Sequence, residues 1–479
     1  MTDFKSIRFG YASAEKEGSH APDLILRGFY DQDGTVAEAR DGDRFLFLGY
    51  KGSGKSAIGQ RLILDAEADD QLNVVPLTLK DFPFAAFGRV GVGSDEPESK
   101  YPTTWAWLLL LRLLDSFNRD LSSAKTPQFQ KAIGALERAG YLPIGDFKGL
   151  VVRSSKNSFK ASVPGLVEAI REESVANLDV GFLQLVEHLR ILTQNFRGPA
   201  RHVIVIDGLD DILIQRDIQW ISLGALMQEV SRINDDLAAY AVPAKIVLLC
   251  RTDMFERFPD ANKNKMRRDS AVVLDWYHDV KHPENSALVA LADLRVQYSA
   301  GDPDVCLSSY LPPTMGGESS IKALLSLTRH TPRDFLQLLE CVQDFTSPTA
   351  GVISRDAIEK GMRKYSIEYF LPEIRDELVG VGTAEEIESM ISLLSAMRSR
   401  DFKYKDLLNT AVELQVPLSS SKIREIVVAL FERSALGTVH SNRNGYSSYT
   451  FKYRNRNSTL GFPDRLLLHR GIWKGLGIS

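Results

Sequence analysis

Cysteine is scarce in this chain of 479 residues: Cys250, Cys306 and Cys341 are few, odd in number and far apart. They exclude a disulfide framework and a metal knuckle, and they fit a reducing cytosol. Neither sign of charge is in excess. Against 62 acidic residues stand 58 Lys and Arg, a formal net charge of −4, so bulk charge gives no reason to expect nucleic-acid affinity, although a local basic face can exist within that average. Long apolar runs are missing too. The longest, WAWLLLLRLL at 105–114, is interrupted by Arg112 and is too short to span a bilayer. The opening MTDFKSIRFGYASAEKEG has no apolar core of signal-peptide length. A cytoplasmic protein with no membrane partner is expected. The 8 histidines are scattered, and none stands near a nucleophile motif. His278 and His282 in DWYHDVKHPE have only Asp279 nearby and sit between a strand and a proline, which argues against a metal site. Nuclease, protease and deaminase motifs are absent, as are internal repeats.

What is present is the composition of a globular protein, 44% hydrophobic and 25% charged, at a length that calls for two or three domains. Strand-like apolar runs at 45–48, 73–79, 202–206, 245–250 and 271–275 are separated by long helical stretches. That alternation predicts an α/β fold with a parallel sheet covered by helices on both faces. The interval 84–180 reads as a mainly helical insertion into a core spanning 1–278. Within it, 145–165 is polar and basic with no sustained helical period, so a solvated loop is expected there. Helical patterns over 279–380 predict a lid domain. Over 381–479, three helices precede LGTVHSNRNGYSSYTFKY, two strand-like pieces around an Asn-Gly turn. Three helices followed by a hairpin describe a winged helix with a C-terminal tail.

The chemistry is concentrated in FLFLGYKGSGKSAIGQRL, residues 45–62. Gly49, Gly54, Lys55 and Ser56 satisfy G-x-x-x-x-G-K-[ST], a phosphate loop, with Tyr50, Lys51, Gly52, Ser53 and Ala57 completing it. Glycines let backbone N–H groups converge on phosphate oxygens where a Cβ would intrude. Lys55 would reach the β- and γ-phosphates and the Ser56 hydroxyl would ligate Mg²⁺, while the helix that follows presents its positive end. A phosphate loop needs an acidic partner. RHVIVIDGLDDIL supplies Asp207 at the carboxyl end of a buried strand as the Mg²⁺ carboxylate. Asp210 and Asp211 follow in the turn, and one of them would orient the attacking water.

The phosphate loop, the strand end Asp-Gly-Leu-Asp-Asp and the arginine of IVLLCRTDMF resemble the AAA+ and STAND classes of P-loop ATPases. Gly208 stands where most AAA+ proteins have a glutamate, which leaves the base open between Asp210 and Asp211 and fits slow, switch-like turnover. The resemblance implies further roles. Arg251 would occupy the sensor-1 region. Arg267 and Arg268, just before the fifth strand, would take the place of an arginine finger given to a neighbouring subunit. Arg333, opening a lid helix, would be sensor 2. A homo-oligomer binding ATP and Mg²⁺ between core and lid is thus implied.

The likeness covers residues 27 to about 345, and more loosely 385–455 through the winged-helix pattern. An AAA+ module followed by a winged helix is the arrangement of origin-recognition initiators and of bacterial STAND-like ATPases linked to phage defence. FGYASAEKE and LLLHRGIWKGLGI look more like the second group, which implies an effector protein encoded nearby. The alternatives are an initiator-like protein whose ATP licenses DNA binding, and a nucleotide-bound scaffold without turnover. Lys403, Lys405, Lys422, Arg424, Arg443, Arg454 and Arg456 supply the charge that DNA requires. Glu425 and Glu432 lie on the same helix, so DNA and protein docking both stay open.

Overall fold

Five short apolar segments form the central sheet, in the order β2-β3-β4-β1-β5 with every pair parallel. They are β1 (Leu46–Gly49), β2 (Leu72–Thr78), β3 (Arg201–Asp207), β4 (Ala244–Arg251) and β5 (Ala271–Val273). β1, β3 and β4 are buried along nearly their whole length, as strands covered on both faces must be. β2 carries Pro76, which cannot donate to a neighbour on its far side, and it lies accordingly at a sheet edge. In the computed structural model the described residues are 2–90, 97–156, 166–167, 181–209, 217–258, 262–277, 282–348, 351–441, 447–462 and 464–478.

Two compact units are present. One comprises Asp33–Tyr50 and Lys55–Leu274, the other Met1–Gln32, Lys51–Gly54 and Asp275–Ser479. The sheet belongs to the first of these. Between β2 and β3 it carries helices including Pro97–Arg119, Pro127–Arg138 and Phe182–Gln194. Trp105 and Trp107 of the first helix are fully buried, donating to the Ser222 carbonyl (2.8 Å) and to Ser154 Oγ (3.1 Å). The stretch 145–165, expected as a loop, instead contains the helix Phe147–Lys156. Phe147, Leu150, Val151 and Ser154 bury one face at helical spacing. The polar residues that masked this period in the sequence are its outer face.

The other unit is built on helices Ala287–Ala300, Pro332–Gln343, Arg355–Lys364 and Leu371–Leu378, with a two-stranded ribbon of β6 (Thr314–Met315) and β7 (Glu318–Ser319). Its core includes Phe4, Ile7 and Phe9 of the N-terminal segment, whose Phe4 and Ile7 carbonyls accept from Gln343 Nε2 (2.7 and 2.8 Å). A π-helical turn, Tyr365–Phe370, joins the last two helices. There follow helix Ala384–Ala396, β8 (Asp401–Lys403), helices Tyr404–Glu413 and Ser420–Glu432, β9 (Leu436–Ser441), β10 (Ser447–Thr450) and β11 (Arg465–Leu468). These four strands form one antiparallel sheet, β10-β9-β11-β8. The expected three helices and hairpin are there, and β8 and β11 extend them. Both added strands are too short to announce themselves by alternation. The Asn-Gly turn expected between β9 and β10 lies outside the described residues.

Candidate phosphate-binding site

The loop between β1 and helix Lys55–Ala68 owes its path to glycine. Gly52 has φ +80° and Gly54 φ +92°, a backbone region that residues with a Cβ rarely enter. Gly49 serves differently, as the last residue of β1 opposite Arg251. Lys55 opens the helix, the end where positive partial charge concentrates. Its side chain is buried, and Nζ donates to the carbonyls of Gly49 and Tyr50 (3.2 Å each). The ammonium is therefore positioned by the turn that it follows. Ser56 and Ala57, next along the helix, are half-buried.

Residues 51–54 are fixed by their own unit. Trp276 Nε1 donates to the Ser53 carbonyl (2.9 Å), and the Arg333 backbone N–H to the Gly52 carbonyl (3.3 Å). Thr331 caps helix Pro332–Gln343, so Arg333 stands in its first turn as expected. A Cβ on Gly52 would come within 3.1 Å of both Thr331 Oγ1 and Arg333 Cβ. Lys51 Nζ lies 2.8 Å from Glu373 Oε1, and Arg333 Nη1 lies 3.7 Å from the same oxygen. Behind this face Arg329 is buried with two carboxylates, reaching Asp334 Oδ2 (3.0 Å) and Glu377 Oε1 (2.8 Å). Burial pushes Asp334 up, but Arg329 beside it outweighs that and holds it below its ordinary value.

At the carboxyl ends of the strands stand Gly49, Asp207 and Arg251, on β1, β3 and β4. Asp207 faces Thr78 in the register and accepts from the Gly208 N–H (2.7 Å). Gly208 has φ +81°, and a Cβ there would come within 2.8 Å of Thr78 Oγ1 and 3.1 Å of Lys80 N. The turn thus disfavours any residue with a Cβ at 208, a glutamate included. Asp210 and Asp211 lie outside the described residues. Arg251 forks onto Asp253 (Nε 2.9 Å, Nη2 2.7 Å). Arg267 and Arg268 close helix Lys263–Ser270 before the amino end of β5, where the Ser270 carbonyl meets Phe45 N. Arg267 pairs with Glu256 and lies over the Phe255 ring (5.3 Å), while Arg268 is exposed.

Sequence reasoning missed Trp276, Thr331 and Glu373. Thr331 was legible as a cap before Pro332, whereas Glu373 reaches the loop only through tertiary packing. A Ser-His-Asp set that no motif announced also exists: Ser116 Oγ is 2.8 Å from His202 Nδ1, and His202 Nε2 is 3.5 Å from Asp120 Oδ2. All three are buried, and burial pushes His202 below its usual value. They bind helix Pro97–Arg119 to β3 and present no nucleophile to solvent. Among the described residues no group of His, Cys, Asp and Glu could hold a metal ion alone, and no helix is long and apolar enough to cross a membrane. His278 is not among them.

The basic residues of the C-terminal region are largely engaged. Lys422 pairs with Glu425 (2.8 Å), Arg456 with Asp275 (3.0 Å), Arg424 covers the Phe462 ring (4.2 Å) and Arg454 covers Tyr453 (5.4 Å). Lys403 and Lys405 are exposed, and Arg443 lies outside the described residues.

No protein-family model and no curated protein matches the sequence. Solved structures similar to it include the Orc1 protein of Aeropyrum pernix in complex with DNA, at 12% identity and TM-score 0.38, covering 96% of this chain and 92% of that one. The RuvB Holliday junction branch migration motor of Thermotoga maritima gives 13% and 0.32, covering 98% and 95%. Cdc6p of Pyrobaculum aerophilum gives 11% and 0.31, covering 92% of each. Scores this low assign neither activity nor partner. A parallel α/β sheet whose first strand runs into a glycine loop, a buried lysine and a helix is the P-loop NTPase fold.

Proposed function

We propose that the chain binds ATP with Mg²⁺ and hydrolyses it slowly, as an AAA+/STAND-like switch. The observation that carries this reading is the loop itself, with left-handed Gly52 and Gly54 leading into the buried, turn-held ammonium of Lys55 at the head of a helix. The donors fit the ligand: backbone N–H groups and Lys55 for phosphate, and the Ser56 hydroxyl and Asp207 carboxylate for a hard divalent ion. Bound Mg²⁺ would neutralise phosphate charge. Lys55 offsets the negative charge of the terminal phosphates, Arg333 adds a guanidinium from the lid, and Asp210 or Asp211 orients water. Arg267 and Arg268 would act on a neighbouring copy. The lid is taken as 279–380 and the winged helix as 381–479, while the core expected over 1–278 is narrowed, because Met1–Gln32 belongs to the same compact unit as Asp275–Ser479.

DNA and protein docking both stay open for that last region, where Lys422 and Arg456 are ion-paired while Lys403, Lys405 and Arg424 are exposed. Phage defence through a partner effector rests on the sequence resemblance alone, since fold does not fix function. Calorimetry of ATP binding to wild-type and Lys55→Ala protein tests the central reading. Binding should be lost in the variant. Equal affinities would refute the phosphate-loop assignment.

A further inference from the structure

Lys51 and Arg333 bring two positive charges to Gly52, one as its chain neighbour and one through a backbone hydrogen bond. Both turn to one oxygen, Glu373 Oε1, at 2.8 and 3.7 Å. The Glu373 side chain is 14% exposed, against 27% for Lys51 and 31% for Arg333. One helical turn further on, Glu377 does something different: its partner Arg329 is buried and also held by Asp334, so that charge cannot leave. Lys51 and Arg333 remain within reach of solvent. A phosphate chain in the loop and the Glu373 carboxylate therefore compete for the same cations. Glu373 stands on a helix continuous with the π-helical turn, whose Tyr369 hydroxyl donates to Asp334 (3.0 Å) at the base of the lid helix.

We propose that Glu373 is a gating carboxylate, holding Lys51 and Arg333 in the free protein and yielding them to the phosphates of the bound nucleotide. This deepens the ATP-binding reading and rests on it. The gate weakens affinity for every phosphate ligand and couples ligand entry to release of helix Leu371–Leu378 from the loop. An exchange of this kind gives a switch the differential contacts that it requires.

The test is calorimetry of ATP and ADP with the full chain, comparing wild type, Lys55→Ala, Glu373→Gln, and Glu373→Gln in a Lys51→Ala/Arg333→Ala background. Glu373→Gln should bind about fivefold more tightly than wild type at low ionic strength, with the gain shrinking in high salt. In the background without the two cations, the same change should have no effect. Glu373→Ser replaces Glu373→Gln should circular dichroism show that the latter is unfolded. Nucleotide binding by wild type but not Lys55→Ala, with Glu373→Gln at or below wild-type affinity, overturns the gate and leaves the ATP-binding reading standing. No binding by wild type overturns both.

Discussion

Replacing Gly52 or Gly54 by alanine separates two costs that are usually confounded. Both have left-handed backbones, at φ +80° and +92°, so each alanine costs about 1–2 kcal/mol in backbone conformation. Around Gly54 no atom lies within 4 Å of the added Cβ, and that cost is the whole effect. At Gly52 the Cβ meets Thr331 Oγ1 and Arg333 Cβ at 3.1 Å, closer than ordinary contact. Neither atom is the far end of a flexible chain, so crowding adds about 1–3 kcal/mol. Chemical denaturation should place Gly52→Ala below Gly54→Ala, and both below wild type. Equal stability of the two variants would mean that Thr331 and Arg333 do not approach the loop, and the reasoning would fail.

Asp207→Ala should keep Mg²⁺-free nucleotide binding and abolish turnover; unchanged turnover places the metal carboxylate elsewhere. Arg329→Met leaves Asp334 and Glu377 buried without their cation and should cost about 3–5 kcal/mol in denaturant unfolding. Burial pushes Glu340 up from 4.5 to about 7. Because the folded value is the higher one, its contribution is complete below about pH 4.5 and is lost as pH rises through about 7. Glu340→Gln should flatten stability over that window, by about 1 kcal/mol after solvent screening. Mixing Lys55→Ala protein with Arg267→Ala/Arg268→Ala protein should restore part of the ATPase activity. Turnover linear in concentration by a monomer in ATP would exclude a finger supplied in trans.

Strands β1, β3 and β4 were legible because a sheet buried on both faces demands unbroken apolar runs, and the loop was legible because its glycines are forced by geometry. Gly208 was visible, but its reason was not: the turn at φ +81° beside Thr78 shows only in three dimensions. Helix Phe147–Lys156 was hidden because Lys148, Arg153 and Lys156 lie among its buried positions. Strands β8 and β11 are stabilised by partners distant in sequence, with Leu466 opposite Phe402 and Thr438. Glu373 carries no local mark, since its meaning comes from Lys51, some three hundred residues away in the chain.

Asp275, Trp276 and Tyr277 are consecutive, yet each serves a different neighbour. Asp275 pairs with Arg456, Trp276 donates to Ser53, and Tyr277 packs against His330 and Tyr453. His330 stacks on Tyr453 and immediately precedes Thr331, while His469 stacks on Phe370. Anyone seeking a minimal ATPase would be tempted to cut near residue 380, where the sequence pattern changes. That cut would strip the cover from Tyr277, His330 and Phe370 together, leaving an apolar aromatic face in water beside the cap of the lid helix. The shortened polypeptide should clump and lose nucleotide even with every motif residue retained, so its inactivity would be no sign that residues 381–479 take part in chemistry.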